Sequence, residues 1–402
     1  MLPAALDDLL VLDISQGIAG PFCARLLGDF GADVIKVEPP GGERGRRMPP
    51  FFKDDPDPEK SLFFLLLNLN KRGLCLDLTR PAGAALFRRL ARIADVIVES
   101  YAPGYLDQLG LGYETLAEDN PGLIMTSITP FGQTGPYSHF KGNEIVGYAT
   151  SGIMAISGTS DREPLQHGGF PGQYETGMNG MLATNVALLT RDLTGIGNHV
   201  DVSMQEVITS SLVINQPNYS FSGGVQGRRH PEGSSFGQVI PCKDGYFVSQ
   251  EGASVTWNDI ADFFGREEMK DPRFADPTQR ALHGTELDAI ILDATKDRTM
   301  AEMFKTASEQ FRMLFGIVQT PEDLAKCPQL DVRGFFEDIE HPVVGKIRVP
   351  FRLFNMTDGA ATCRRPAPLL GQHTTDVLAQ IGCATAEIAA LQAEGIVRSG
   401  WA

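Results

Sequence analysis

Strands and helices alternate through the first half of this chain, and that alternation narrows its fold more than any other feature. Residues 9–14 are a short apolar run, broken by Gly17 and by Gly20-Pro21; a helical pattern follows through Phe30, and Gly31 closes it. Residues 33–38 read as a second strand, stopped by Pro39-Pro40. A strand, a glycine turn, a helix and another strand make a βαβ unit, which favours a parallel sheet. The pattern recurs as a strand over 74–78, a helix over 81–94 with Pro81 suited to its first turn, and strands over 95–99 and 122–129. Met178, Met181, Leu182, Val186 and Leu189 then repeat at helical spacing over 178–191. An α/β fold follows.

Beyond about residue 218 the texture changes. Residues 222–235 are too polar and glycine-rich for a regular element. From 239 to about 329 a strand over 246–250 precedes several amphipathic helices, as in a smaller α+β domain. Residues 345–354 read as strand with loop, and 374–381 as a helix. A length of 402 residues suits two domains better than one.

Composition excludes several function classes. A formal net charge of −15 argues against nucleic acid as the main partner, although helix N-termini and a few cations can still bind an anion. No run of about 20 apolar residues occurs and no signal-peptide pattern opens the chain, so a cytoplasmic protein without a membrane partner is expected. The longest apolar burst, residues 62–67, has the length of a strand. Six scattered cysteines without CxxC spacing suggest neither zinc nor a disulfide framework, and no histidine stands in HExxH spacing or beside a GxSxG elbow. No metal is expected.

Three segments carry candidate chemistry. The turn over 15–21 has glycines that would let its backbone approach a phosphate or pantetheine, or serve only as a tight turn. The basic residues Arg44, Arg46 and Arg47, with Lys71, Arg72 and Lys141, are either a phosphate site in loops after strands or solvated charge. The glycine-rich stretch 233–238 is a mobile flap or an interdomain linker.

Ordered matches along nearly the whole chain resemble the family III CoA transferases, the group of formyl-CoA transferase and carnitine CoA transferase. They include Gly20-Pro21 with residues 27–41, residues 70–78, 94–99, Pro103-Gly104 with 109–114, Gly135-Pro136, Ser151-Gly152, 200–204, 333–336 and 370–374. The resemblance implies a Rossmann-like large domain from both chain ends, with a smaller domain between them, in an interlocked ring-like dimer. The corresponding boundaries are 1–218 for the N-terminal part, 219–329 for the linker and small domain, and 330–402 for the return. It implies coenzyme A, as acyl-CoA, as substrate together with a carboxylic acid. Gln16 and Gly17 fall at the pantetheine, Leu76, Asp77, Leu78 and Thr79 with Ser100, Tyr101 and Ala102 along the nucleotide cleft, and Lys141, Gly142, Asn143 and Glu144 beneath the thioester. Gly233, Ser234, Ser235, Phe236, Gly237 and Gln238 match the flap over the acyl group, with fewer glycines and so a stiffer flap. Asn143 stands where the racemase branch has histidine, which disfavours racemization.

One position departs from the family pattern. The family nucleophile is an aspartate four residues before the glycine matched by Gly177, and this chain has Gln173 there. A carboxylate can attack an acyl-CoA carbonyl; an amide cannot. Glu175 lies two residues on, and at a helix start its side chain diverges from that of residue 173 by about 200°. Three readings stay open. The chain is a transferase subunit whose Asp-bearing paralogue supplies the nucleophile, as the two-subunit benzylsuccinate enzyme suggests; or a self-sufficient transferase, isomerase or hydrolase using Glu175 or Glu144; or a non-catalytic acyl-CoA-binding protein. Its dimer is homomeric or heteromeric.

Overall fold

The computed structural model describes residues 4–228, 236–252 and 255–400. It divides into two compact units. One comprises Met1–Ser157, Leu165–Gln226 and Val332–Ala402; the other comprises Gly158–Pro164 and Gly227–Asp331.

The larger unit is built on six parallel strands, β1 (Leu10–Asp13), β2 (Asp33–Glu38), β3 (Lys71–Leu76), β4 (Val96–Glu99), β5 (Ile124–Thr129) and β6 (Asn198–Ser203). Their spatial order is β3-β2-β1-β4-β5-β6, and a short strand Val397–Arg398 pairs antiparallel with the outer edge of β3. This is the doubly wound order, in which the chain reverses direction across the sheet between β1 and β4. Alternate residues feed two cores. Leu12, Ile35 and Ile97 pack with Leu74, Phe87 and Val377 on one face; Val11, Val34 and Val96 pack with Leu27, Ile124 and Leu188 on the other. Helices covering both faces explain why every residue of β3 and β5 is buried.

Two expectations are corrected here. The apolar burst Leu62–Leu67 is a helix, not a strand: Ser61 caps it by accepting the Phe64 N–H, and Phe64, Leu65 and Leu67 turn inward. A short apolar run carries no period that separates the two states, and the capping serine decides it. The third strand starts at Lys71 rather than Leu74, so Lys71 and Arg72 are strand residues. Lys71 is fully buried and pairs with Asp13 at 2.7 Å, while Arg72 pairs with Asp33.

The smaller unit has an antiparallel three-stranded sheet, Val239–Cys242, Gly245–Gln250 and Leu314–Ile317. Trp257–Phe264, opened by a Thr256–Asp259 capping box, packs Trp257, Ile260 and Phe264 against Phe247 and Ile291. Among the described residues no helix is long and apolar enough to cross a membrane.

Candidate active site

The C-terminal ends of β1, β4 and β5 surround a cavity of about 280 Å³ in the larger unit. It lies at the switch point, where neighbouring crossovers leave on opposite faces and open a crevice.

Its floor is the turn after β1, and that turn is held from below by buried charge. Asp13 accepts hydrogen bonds from the backbone and hydroxyl of Ser15, and Lys36 donates to the Ser15 carbonyl. Gln16 N–H donates to Ser100 Oγ at 2.9 Å. Gly17 takes φ +82°, and its N–H donates to Glu43 Oε2 at 3.1 Å. No side chain fits at Gly20, because a Cβ there would collide with Ser15. The turn is therefore one shape, fixed before any ligand arrives.

One wall is Ser100, Tyr101 and Ala102 after β4, where the Tyr101 N–H donates to the buried Glu99 carboxylate at 2.6 Å. Burial pushes that carboxyl up to about 7. The opposite wall joins Thr129 and Pro130 to Gly142 and Asn143. Asn143 caps the helix Glu144–Thr150 by accepting the Val146 N–H. Thr129 is buried, and its hydroxyl has no hydrogen-bond partner among the described residues.

The helix Pro171–Thr194 closes the cavity with Gln173 and Thr176. Pro171 opens it, and Gly177 and Gly180 let it lie against Ala19–Asp29 and β5: a Cβ at Gly177 would sit 2.6 Å from the Ala19 carbonyl. At the head of this helix Glu144 accepts the N–H groups of Gly172 at 2.8 Å and Gln173 at 3.0 Å. The Gln173 side chain lies beside the same carboxylate. Burial raises the Glu144 pKa, opposed by the two backbone N–H groups and by the Gln173 side chain. Glu175 is absent from the cavity wall and accepts from Ser211 Oγ at 3.1 Å.

Of the residues singled out in the sequence, the cavity gathers Gln16, Ser100, Tyr101, Ala102, Gly142, Asn143 and Gln173. Leu76, Asp77, Leu78 and Thr79 lie outside it; Leu76 and Leu78 are core residues, and Thr79 bonds to Asp77. Lys141 is exposed and off its wall. The three arginines of the basic segment do not converge on one place. Arg46 is buried between Glu38 and Glu59, Arg47 donates to the Gly41 carbonyl, and Arg44 alone of the three lines the cavity. Strand alternation pointed to Thr129 only as a strand end, and loop charge left Arg44 as either part of a phosphate site or a solvated cation. In the smaller unit Phe236 packs edge-on to Trp257 and Gly237 N–H donates to the Ser249 carbonyl, with Gln238 following; Gly233, Ser234 and Ser235 lie outside the described residues. Among the described residues no group of three or more His, Cys, Asp and Glu is placed to hold a metal.

The family model for CoA-transferase family III matches residues 6–374. The chain is 32% identical over 408 residues to the succinyl-CoA–D-citramalate CoA-transferase of Chloroflexus aurantiacus, covering 98% of each protein. It is 31% identical over 400 residues to subunit BbsE of the succinyl-CoA:(R)-benzylsuccinate CoA-transferase of Thauera aromatica, covering 96% of this chain and 97% of that one. A crystal structure of a CAIB/BAIF family protein from Brucella suis superposes with a TM-score of 0.84 at 31% identity, over 94% of this chain and 100% of that chain. Likeness in sequence and in fold extends over the same near-complete length, and the chain belongs to CoA-transferase family III.

Proposed function

We propose that this protein binds acyl-CoA and takes part in CoA transfer between carboxylic acids as a subunit whose partner supplies the nucleophilic aspartate. The observation that carries this reading is Gln173: it lines the cavity at the head of the long helix, with its backbone N–H held by Glu144 and its side-chain amide where the nucleophile would stand. An amide in that place can orient a thioester but cannot form the anhydride. The likeness to a protein described as a transferase subunit supports a division of labour between chains.

Association of two chains as an interlocked dimer is part of the proposal. Met178, Leu182, Val186, Leu189 and Leu193 form an exposed apolar stripe along Pro171–Thr194, at spacings of three and four residues. A stripe of that length on a helix supports a protein partner. The partner is either a second copy or an Asp-bearing paralogue.

Self-sufficient chemistry through a glutamate has less support. Glu144 spends its oxygens on the backbone N–H groups of Gly172 and Gln173, and Glu175 is engaged with Ser211 away from the cavity. The test is intact-mass analysis after incubation with succinyl-CoA and hydroxylamine, which traps an acyl or CoA adduct of a carboxylate as a hydroxamate. The proposal expects none on this chain alone, and transfer activity once an Asp-bearing partner is added. A hydroxamate on Glu144 or Glu175 would overturn it.

A further inference from the structure

We infer that Arg44 is the specificity residue of this cavity and reads a free carboxylate on the acyl group, so that the substrates are dicarboxylic acids and their monothioesters. The inference rests on the reading of the cavity as the acyl site of a CoA transferase. Arg44 is the one formally charged residue among those lining the cavity, whose other polar side chains include Gln16, Ser100, Asn143 and Gln173. Its guanidinium makes no hydrogen bond or ion pair among the described residues, whereas Arg46 beside it is saturated by Glu38 and Glu59.

The guanidinium is also placed by the turn. Gly17 has no side chain, and a Cβ there would stand 2.6 Å from Arg44 Nη2 and 2.9 Å from Nε. The missing side chain is thus the space that the Arg44 head occupies. Glu43, next in sequence, is turned the other way: its Oε2 takes the Gly17 and Gly45 N–H groups, leaving Arg44 uncompensated.

Size and charge then choose the ligand. A cavity of about 280 Å³ admits a four- or five-carbon acyl chain with the end of the pantetheine. An acyl chain with one terminal carboxylate carries one charge, and a planar guanidinium matches a carboxylate with two parallel hydrogen bonds. The unpartnered Thr129 hydroxyl, which lines the same cavity, offers a further donor to an oxygen of the ligand.

The experiment compares succinyl-CoA with butyryl-CoA, which has the same four carbons without the second carboxylate. Each is titrated calorimetrically into the purified protein and its R44Q and R44K variants. Arg44 is exposed, so both variants are expected to fold. R44Q should weaken succinyl-CoA about tenfold or more and butyryl-CoA less than about twofold, with R44K between. Equal weakening of both thioesters would place the guanidinium on the CoA phosphates and overturn the inference. So would unchanged affinity for both. Absence of transfer in every assembly, with the succinyl preference and its loss in R44Q intact, would sink the transferase reading and leave the assignment of Arg44 standing.

Discussion

Replacing Glu99 by glutamine should make this protein more stable at alkaline pH and leave it little changed in acid. Glu99 ends β4, is buried, accepts the Tyr101 N–H, and lies beside the Ser127 hydroxyl. Burial pushes its carboxyl up to about 7, with Asp201 and Asp107 adding to the rise and the Ser127 hydroxyl and Tyr101 N–H opposing it. The unfolded chain releases this proton near the ordinary glutamate value of about 4.3. Between about pH 4.3 and 7 the folded protein therefore binds more protons than the unfolded chain, and stability falls as pH rises through that window. Above it the loss is complete, on the order of 4 kcal/mol at ~1.4 kcal/mol per pH unit. The glutamine of E99Q still accepts the Tyr101 N–H and has no charge to desolvate. Chemical denaturation from pH 5 to 8.5, at constant ionic strength, should show the variant gaining on the wild type by a few kcal/mol as pH rises. Parallel profiles would refute the argument. E99A, which leaves the Tyr101 N–H without its acceptor, should in addition weaken acyl-CoA binding, because Tyr101 walls the cavity.

Three further outcomes are expected. Q173D should yield a hydroxylamine-trappable adduct with succinyl-CoA, and more of it as pH rises, because the new carboxylate faces Glu144 and the pair holds a proton in acid; no adduct between pH 6 and 9 would count against residue 173 as the lost nucleophile. G177A should cost about 1–3 kcal/mol of stability, read by denaturant titration, since its methyl would meet the Ala19 carbonyl at 2.6 Å. L182E combined with L189E should reduce the mass of the assembly in light scattering to that of one chain, and an unchanged mass would remove the apolar stripe from the interface.

Periodicity made the sheet legible because its strands are buried on both faces and its turns are marked by Gly and Pro. Asp33–Glu38 coincides with its predicted limits for that reason. Leu62–Leu67 was illegible: its state depends on Ser61, whose hydroxyl also donates to the carbonyls of Gly45 and Met48, a contact across 13 to 16 positions. Lys71 misleads in the same way, since a lysine reads as surface until Asp13, 58 residues earlier, is known to neutralise it. At the site, the sequence singled out both Gln173 and Glu144 but not the hydrogen bond between them, because Glu144 meets Gln173 only through folding. Arg44 and Arg46 are two positions apart and equally basic, yet one is buried in ion pairs and the other opens on the cavity; nothing local distinguishes them.

The pairing of Val397–Arg398 with β3 has a consequence for biosynthesis. The Asp77 N–H donates to the Ile396 carbonyl, and Gly371 takes φ +66° where the Arg398 carbonyl passes too close for a side chain. A nascent chain leaves the ribosome from its N-terminus, so β3 emerges more than three hundred residues before the strand that covers its edge. Until then the strand presents unpaired backbone groups to every other chain in reach. The smaller unit, synthesised in between, has its own core and can fold during that interval. Truncation before Val397 is thus a lesion of yield more than of chemistry, one that chaperone occupancy during translation would reveal.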